Sequence, residues 1–218
     1  MNTEITKKTY FVEGNSDVII IKSILHYYLK IDINNINVFE IAKLEQKNTI
    51  EIIERETNEG REVYFIVDAD KKGTDNCKEG IIKRYINILN ENAKQKLDRQ
   101  LQNKNKSIED IIFCFEDEIE TFLQSIAVHA DFQKLFRDFY FEVAKNNQSI
   151  YENTEKDFKK KWLYVYCEIF DCKKLKNKSN NIIYDKNFEN IFNFTSKNTE
   201  LEKLIEFLKD ETLPNQEE

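Results

Sequence analysis

The segment from Arg61 to Gly73 constrains this chain more than any other. Val63-Tyr64-Phe65-Ile66-Val67 is an unbroken apolar run of β-branched and aromatic residues. With no polar alternation, such a run predicts a strand buried on both faces, as at the centre of a parallel sheet. It stops at Asp68-Ala69-Asp70, followed by Lys71, Lys72 and Gly73. Open α/β sheets bind ligands beyond the carboxyl ends of their strands, so two carboxylates here mark a candidate site.

The flanking sequence supplies partners for that strand. Tyr10-Phe11-Val12 reads as a first strand, followed by the turn Glu13-Gly14-Asn15-Ser16-Asp17. Gly14 permits a tight turn with unusual backbone angles, and Asn15 or Ser16 can cap the helix that follows. That helix is predicted over Asp17–Leu29, with Val18, Ile21, Leu25 and Leu29 on one stripe. Asn37–Ile41 reads as a second strand, and Lys47–Glu59 as a helix closed by Gly60. The order β-α-β-α-β with short links predicts a right-handed parallel sheet.

Asp75–Lys106 has a helical pattern whose second half is polar and basic. A fourth strand, Ile111–Phe115, again ends in acid, Glu116-Asp117-Glu118-Ile119-Glu120. Near Ala127 the strand–helix alternation gives way to helix alone. The expected organisation is therefore an α/β core over residues 1–127, with a helical C-terminal extension, 128–218, packed on it. Within the extension, Asp131–Asn146, Asn153–Phe170 and Glu200–Lys209 read as helices. Lys173–Lys178 reads as a basic loop and Phe188–Phe194 as a short apolar patch.

Composition narrows the function. Of 218 residues 33% are charged and 40% hydrophobic, with 4 Gly and 1 Pro, which suits a helix-rich globular fold. The net charge of −7 gives no global attraction to nucleic acid, so such binding needs local basic patches and a metal ion. No apolar run approaches membrane-spanning length, and a cytoplasmic protein is expected. Cys77, Cys114, Cys167 and Cys172 lack zinc-site spacing and read as buried thiols. His26 and His129 read as structural.

Glu13, the Asp68/Asp70 pair and the Glu116–Glu120 cluster all follow strands of one parallel sheet, so all reach the same edge. Taken singly, an Asp after a strand is more often a turn former or helix cap. Gathered together, several carboxylates need protons or a cation. Oxygen-only ligands favour Mg²⁺ or Mn²⁺, ions that polarise phosphodiesters.

Tyr10–Asp17 (Tyr-Phe-Val-Glu-Gly-Asn-Ser-Asp) together with Val63–Gly73 resembles a Toprim domain, the Rossmann-like α/β domain of topoisomerases, primases and OLD-type nucleases. The resemblance covers Lys8 to Leu123 and implies a parallel sheet flanked by helices, acting on phosphodiesters with Mg²⁺ or Mn²⁺. It implies that Glu13 is the general acid or base and that Asp68 and Asp70 are metal ligands. Asp17 matches a further acid of the nuclease branches. Glu120 is the choice for a late glutamate, although Phe115-Glu116-Asp117-Glu118 departs from the family pattern and leaves Glu116 and Asp117 open. The helical extension resembles that of small stand-alone Toprim proteins, where a lysine precedes an aromatic helix, as Lys159–Lys161 precede Trp162–Tyr166. Lys71, Lys72, Lys160 and Lys161 are the candidate phosphate contacts. Without a zinc-bearing template module or a domain presenting a nucleophilic tyrosine, the expectation is a nuclease acting on DNA or RNA. The resemblance extends to phage defence beside an ATPase partner. The alternative is a non-catalytic Toprim module that binds a nucleotide or a partner protein.

Overall fold

The computed structural model describes residues 8–41, 46–69, 80, 86–87, 89–102, 104, 106–146, 155–177 and 181–209. Its centre is a four-stranded, wholly parallel sheet, β1 (Lys8–Val12), β2 (Asn37–Glu40), β3 (Glu62–Asp68) and β4 (Ile112–Phe115), in the order β2-β1-β3-β4. Helices flank it, so the chain is an α/β protein of Rossmann-like layout. Val63–Val67 is buried throughout, as its unbroken apolar character requires.

In-register aromatics cross the strands on each face. Phe11 lies opposite both Phe39 and Phe65, with ring centroids 5.7 and 5.4 Å away. On the other face Tyr10 meets Tyr64 at 5.7 Å. Thr9 shares the face of Phe11, and its hydroxyl donates to Glu56 of α2 (Gln46–Asn58) at 2.7 Å, so α2 covers that side. The next described helix, α3 (Glu91–Gln102), packs on α2.

The opposite face is closed by the last helix, α8 (Thr199–Lys209), whose Phe207 sits 5.5 Å from both Tyr64 and Phe113. Its C-terminal carbonyls are held from β1. Lys8 Nζ donates to the oxygens of Leu208 and Lys209, at 3.3 and 3.1 Å, and the Tyr10 hydroxyl donates to that of Leu208 at 3.4 Å. Cations and donors at a helix C-terminus satisfy carbonyls that have no partner within the helix.

Two glycines behave differently. Gly60 adopts φ +73° just past α2. Its N–H donates to the Thr57 oxygen and that of Arg61 donates to Glu56, the paired bonds of a Schellman stop. Gly14, which permits unusual angles, does not use them and is extended, with φ −124° and ψ 166°. It is itself the N-cap of α1 (Asn15–Ser23), a position expected for Asn15 or Ser16. Its N–H is satisfied by the Asp17 carboxylate reaching back at 2.8 Å, so the acid rather than the glycine shapes this turn. Helix α1 is also shorter than expected, because Ile24–Tyr28 continue as a turn of π-helix. His26 is structural there, its Nδ1 lying 2.9 Å from the Ile31 oxygen.

The C-terminal portion is not helix alone. After α4 (Ile119–Ser125), which ends the core, come α5 (Ala130–Asn146), α6 (Glu155–Ile169), the short α7 (Phe188–Ile191) and an antiparallel hairpin. The hairpin, β5 (Lys174–Lys176) with β6 (Ile182–Tyr184), falls where the basic loop was expected. Each strand has three residues and all of β5 is exposed, so no alternating apolar signal marks it. Tertiary bonding holds it. The Tyr184 N–H donates to the buried Ser23 hydroxyl of α1 at 2.9 Å, and Lys22 Nζ donates to Asn181 at 2.9 Å.

Candidate functional site

The strand order fixes where a site can form. The chain leaves β1 toward β2 on one side, then crosses to β3 on the other, so β1 and β3 bound the topological switch point. A crevice opens at the carboxyl ends of such a pair, since the connections depart in opposite directions. Glu13 directly follows β1, Asp17 lies in the first turn of α1, and Asp68 is the last residue of β3. Glu120, in the first turn of α4 beyond β4, completes the rim.

These carboxylates act on one another. Burial pushes Asp17 from an ordinary value of 3.8 up to about 7, with Glu120 and Glu13 adding repulsion against the relief given by the Gly14 N–H and Lys160. Asp68 rises well above the usual range, by burial first and then through Asp17, Glu13 and Glu120. Glu120 is raised by burial and by Glu118, opposed by Lys160 and Lys159. An oxygen set that is desolvated and mutually repelling, with protons making up the charge balance, is the donor chemistry of a hard divalent cation.

Asp17 and Asp68 also have local duties. Asp17 Oδ2 accepts from Gly14, and Asp68 Oδ1 accepts from the Ile119 N–H that opens α4, at 3.1 Å. Among the described residues the second oxygen of each carries no hydrogen bond. The capping bonds therefore orient these carboxylates without using up their acceptor capacity. Among the described residues, no group of three or more His, Cys, Asp or Glu is drawn together as a ready-made ion cage. Asp70, Lys71 and Lys72 lie outside the described residues. Asp17, Asp68, Glu13 and Glu120 share one electrostatic field at this edge without forming such a cage.

The acids after β4 separate by environment. Glu116 is exposed, and its N–H donates to Glu200 at 2.6 Å. Asp117 binds Lys159 at 2.7 Å and the Thr121 hydroxyl at 3.0 Å. Those contacts outweigh burial and hold its carboxyl below the usual range. Lys159 also reaches Glu118 at 3.4 Å. Of the three candidates left open by the sequence, Glu120 alone lies in the field of both Asp17 and Asp68.

The lysines of α6 divide likewise. Lys159 is tied to Asp117 and Glu118, whereas Lys160 is exposed and acts on Asp17 and Glu120. Lys161 turns to Tyr140 of α5, 3.4 Å from its hydroxyl and 5.2 Å over its ring.

One residue near the site had no sequence signal. Tyr184 is buried, and burial, the Cys167 and Cys172 thiols and Glu120 push its phenol upward. It reaches this position only because β6 docks on α1, which composition does not disclose. Cys114, Cys167 and Cys172 are free and buried, and Cys77 lies outside the described residues.

Among the described residues, no helix is long and apolar enough to cross a membrane. No family model matches the chain, and comparison with curated proteins and with solved structures likewise returns no match.

Proposed function

We propose that the chain is a Toprim-type nuclease that hydrolyses or nicks phosphodiester bonds in DNA or RNA with Mg²⁺ or Mn²⁺. The observation that carries this reading is the mutual electrostatic influence of Glu13, Asp17, Asp68 and Glu120 beside the β1/β3 switch point, with three of them raised by burial. An edge desolvated in this way suits a cation and a phosphate better than it suits bare carboxylates.

A bound divalent ion supplies Lewis-acid polarisation of a phosphodiester and an activated water. Asp68 and Asp17 would hold that ion, with Asp70 assigned to the same task by the Asp-x-Asp pattern. Glu13, directly after β1, would take or return the proton. Exposed Lys160 attracts the phosphate backbone on an otherwise acidic rim, with Lys71 and Lys72 as further contacts. Because net charge opposes nucleic-acid binding, a partner protein delivers substrate, and an ATPase in phage defence is the context drawn from the family resemblance.

A second reading has its own observation. Asp68 and Asp17 each satisfy a backbone N–H at a helix start, a role they would keep in a non-catalytic module that docks a partner or nucleotide on its acidic edge. Purified protein incubated with DNA and RNA plus Mg²⁺ or Mn²⁺, beside Glu13→Ala and Asp68→Ala, separates the two. Metal-dependent cleavage lost in both variants supports the nuclease. Equal behaviour of wild type and variants on every substrate, with and without an ATPase partner, sinks it.

A further inference from the structure

The turn between β4 and α4 is gripped from two sides. From the sheet, the Ala69 N–H just past β3 donates to the carbonyl oxygens of Phe115 and Asp117, both at 3.2 Å. The Asp68 carboxylate beside it accepts from the Ile119 N–H. From α6, Lys159 Nζ lies 2.7 Å from Asp117 Oδ2 and 3.4 Å from Glu118. The same Asp117 oxygen accepts from the Thr121 hydroxyl, within α4, at 3.0 Å. One lysine therefore fixes the residues on both sides of Ile119.

The start of α4 is capped from a distance. Glu118 is its N-cap residue, where a side chain ordinarily accepts from a first-turn N–H, yet it makes no capping bond. The acceptor at this helix start is Asp68, 51 residues earlier in the chain. Glu118 is 8% exposed and its carboxylate is turned to Lys159, so the cation holds the local acid away and leaves Ile119 to the distant one. The Lys159 side chain is itself only 18% exposed, which sets this cluster apart from a screened surface pair. Removing the cation leaves a buried carboxylate without that counter-charge, a state relieved when the side chain turns outward and carries the turn with it.

We infer that Lys159 is a positioning residue for the acidic edge. Through Asp117 and Glu118 it fixes the turn whose Ile119 N–H aims the Asp68 carboxylate and whose next residue is Glu120. Helix α6 thereby becomes part of what orients the edge, although the lysine acts only through its neighbours. The consequence for cation binding rests on the nuclease reading, whereas the hold on Ile119 does not.

Two measurements on the full chain test it, with circular dichroism as the folding control. The first is hydrogen exchange of the Ile119 amide followed by NMR, and the second is the affinity for Mn²⁺ alone. In Lys159→Met, Ile119 should exchange at least about tenfold faster relative to the amides of β3, and Mn²⁺ should bind about tenfold more weakly. Lys159→Arg keeps the cation and should restore both. Ser23→Ala, which loosens the hairpin instead, should change neither. Ile119 protection in Lys159→Met equal to that of wild type overturns the inference, as does a loss shared equally by Ser23→Ala. Unchanged Mn²⁺ affinity in Lys159→Met, where wild type binds the ion, overturns it too. A wild type that neither binds Mn²⁺ nor cuts any substrate ends the nuclease reading, and Ile119 exchange then decides the inference by itself. If Lys159→Met does not fold, the isosteric pair Asp117→Asn/Glu118→Gln, which removes the same ion pairs, decides by the same two readings.

Discussion

Replacing Asp17 by Asn should make the protein more stable at neutral pH, though it removes a bond-making acid. The carboxylate's rise from 3.8 to about 7 corresponds to about 4 kcal/mol of penalty on its ionised form. Asn retains an oxygen to accept from the Gly14 N–H but loses the charge assistance of that bond, about 1 kcal/mol. Partial exposure of Asp17 lowers the penalty further, leaving a net gain of about 1–3 kcal/mol, or roughly 2–10 °C in melting temperature for a chain of this size. The sign follows from linkage. A carboxyl whose folded pKa is raised binds its proton more tightly in the native state, so its contribution is fully present below about pH 4 and lost as pH rises to about 7. The gain of Asp17→Asn should therefore grow from about pH 4 to about pH 7 and then level off. Urea unfolding at closely spaced pH values measures it directly. Addition of Mn²⁺ or Mg²⁺ at about pH 8 should stabilise the wild type more than the variant, because the ion offsets the burial of the charged carboxylate and its repulsion by Glu120 and Glu13. A variant less stable than wild type at about pH 8, or a gain independent of pH, would refute the reasoning.

Two further perturbations test how the C-terminal portion is fastened to the sheet. Ser23→Ala should cost about 1–3 kcal/mol in denaturant unfolding, because it leaves the buried Tyr184 N–H without its acceptor and loosens β6 from α1. Lys159→Met should cost about 2 kcal/mol, since Glu118 is left buried without this cation while the half-exposed Asp117 is screened by water. The Lys159–Asp117 contribution should fade in acid below the ordinary aspartate range, where Asp117 takes its proton, and in strong base, where Lys159 releases its own.

The parallel core was legible because its strands announce themselves by an unbroken apolar run or a short aromatic one, and because Gly60 is a conformational requirement rather than a preference. The placement of Glu13 and Asp68 at the carboxyl edge of the sheet was legible from their positions after strands, whereas Asp17 was singled out only by the family resemblance. What could not be read was which acid beyond β4 turns inward. Glu116, Asp117, Glu118 and Glu120 are interchangeable by composition, and Lys159 sorts them by claiming two. That lysine comes from a helix some forty residues away. The β5–β6 hairpin escaped for a similar reason, since its cohesion comes from Ser23 and Lys22 of α1. At Gly14 the freedom that the residue permits goes unused: its backbone is ordinary, and the turn is held by the Asp17 side chain.

The grip of Lys8 and Tyr10 on the end of α8 has a consequence for how the protein is made. The face of the sheet bearing Tyr64 and Phe113 is covered by Phe207, so β1 and β3 emerge from the ribosome long before the helix that shields them. During that interval the nascent chain carries an aromatic sheet face open to water and to other chains, which is when aggregation competes best with folding. Completion of α8 is thus the step at which this face of the sheet can first be buried as it is in the native fold.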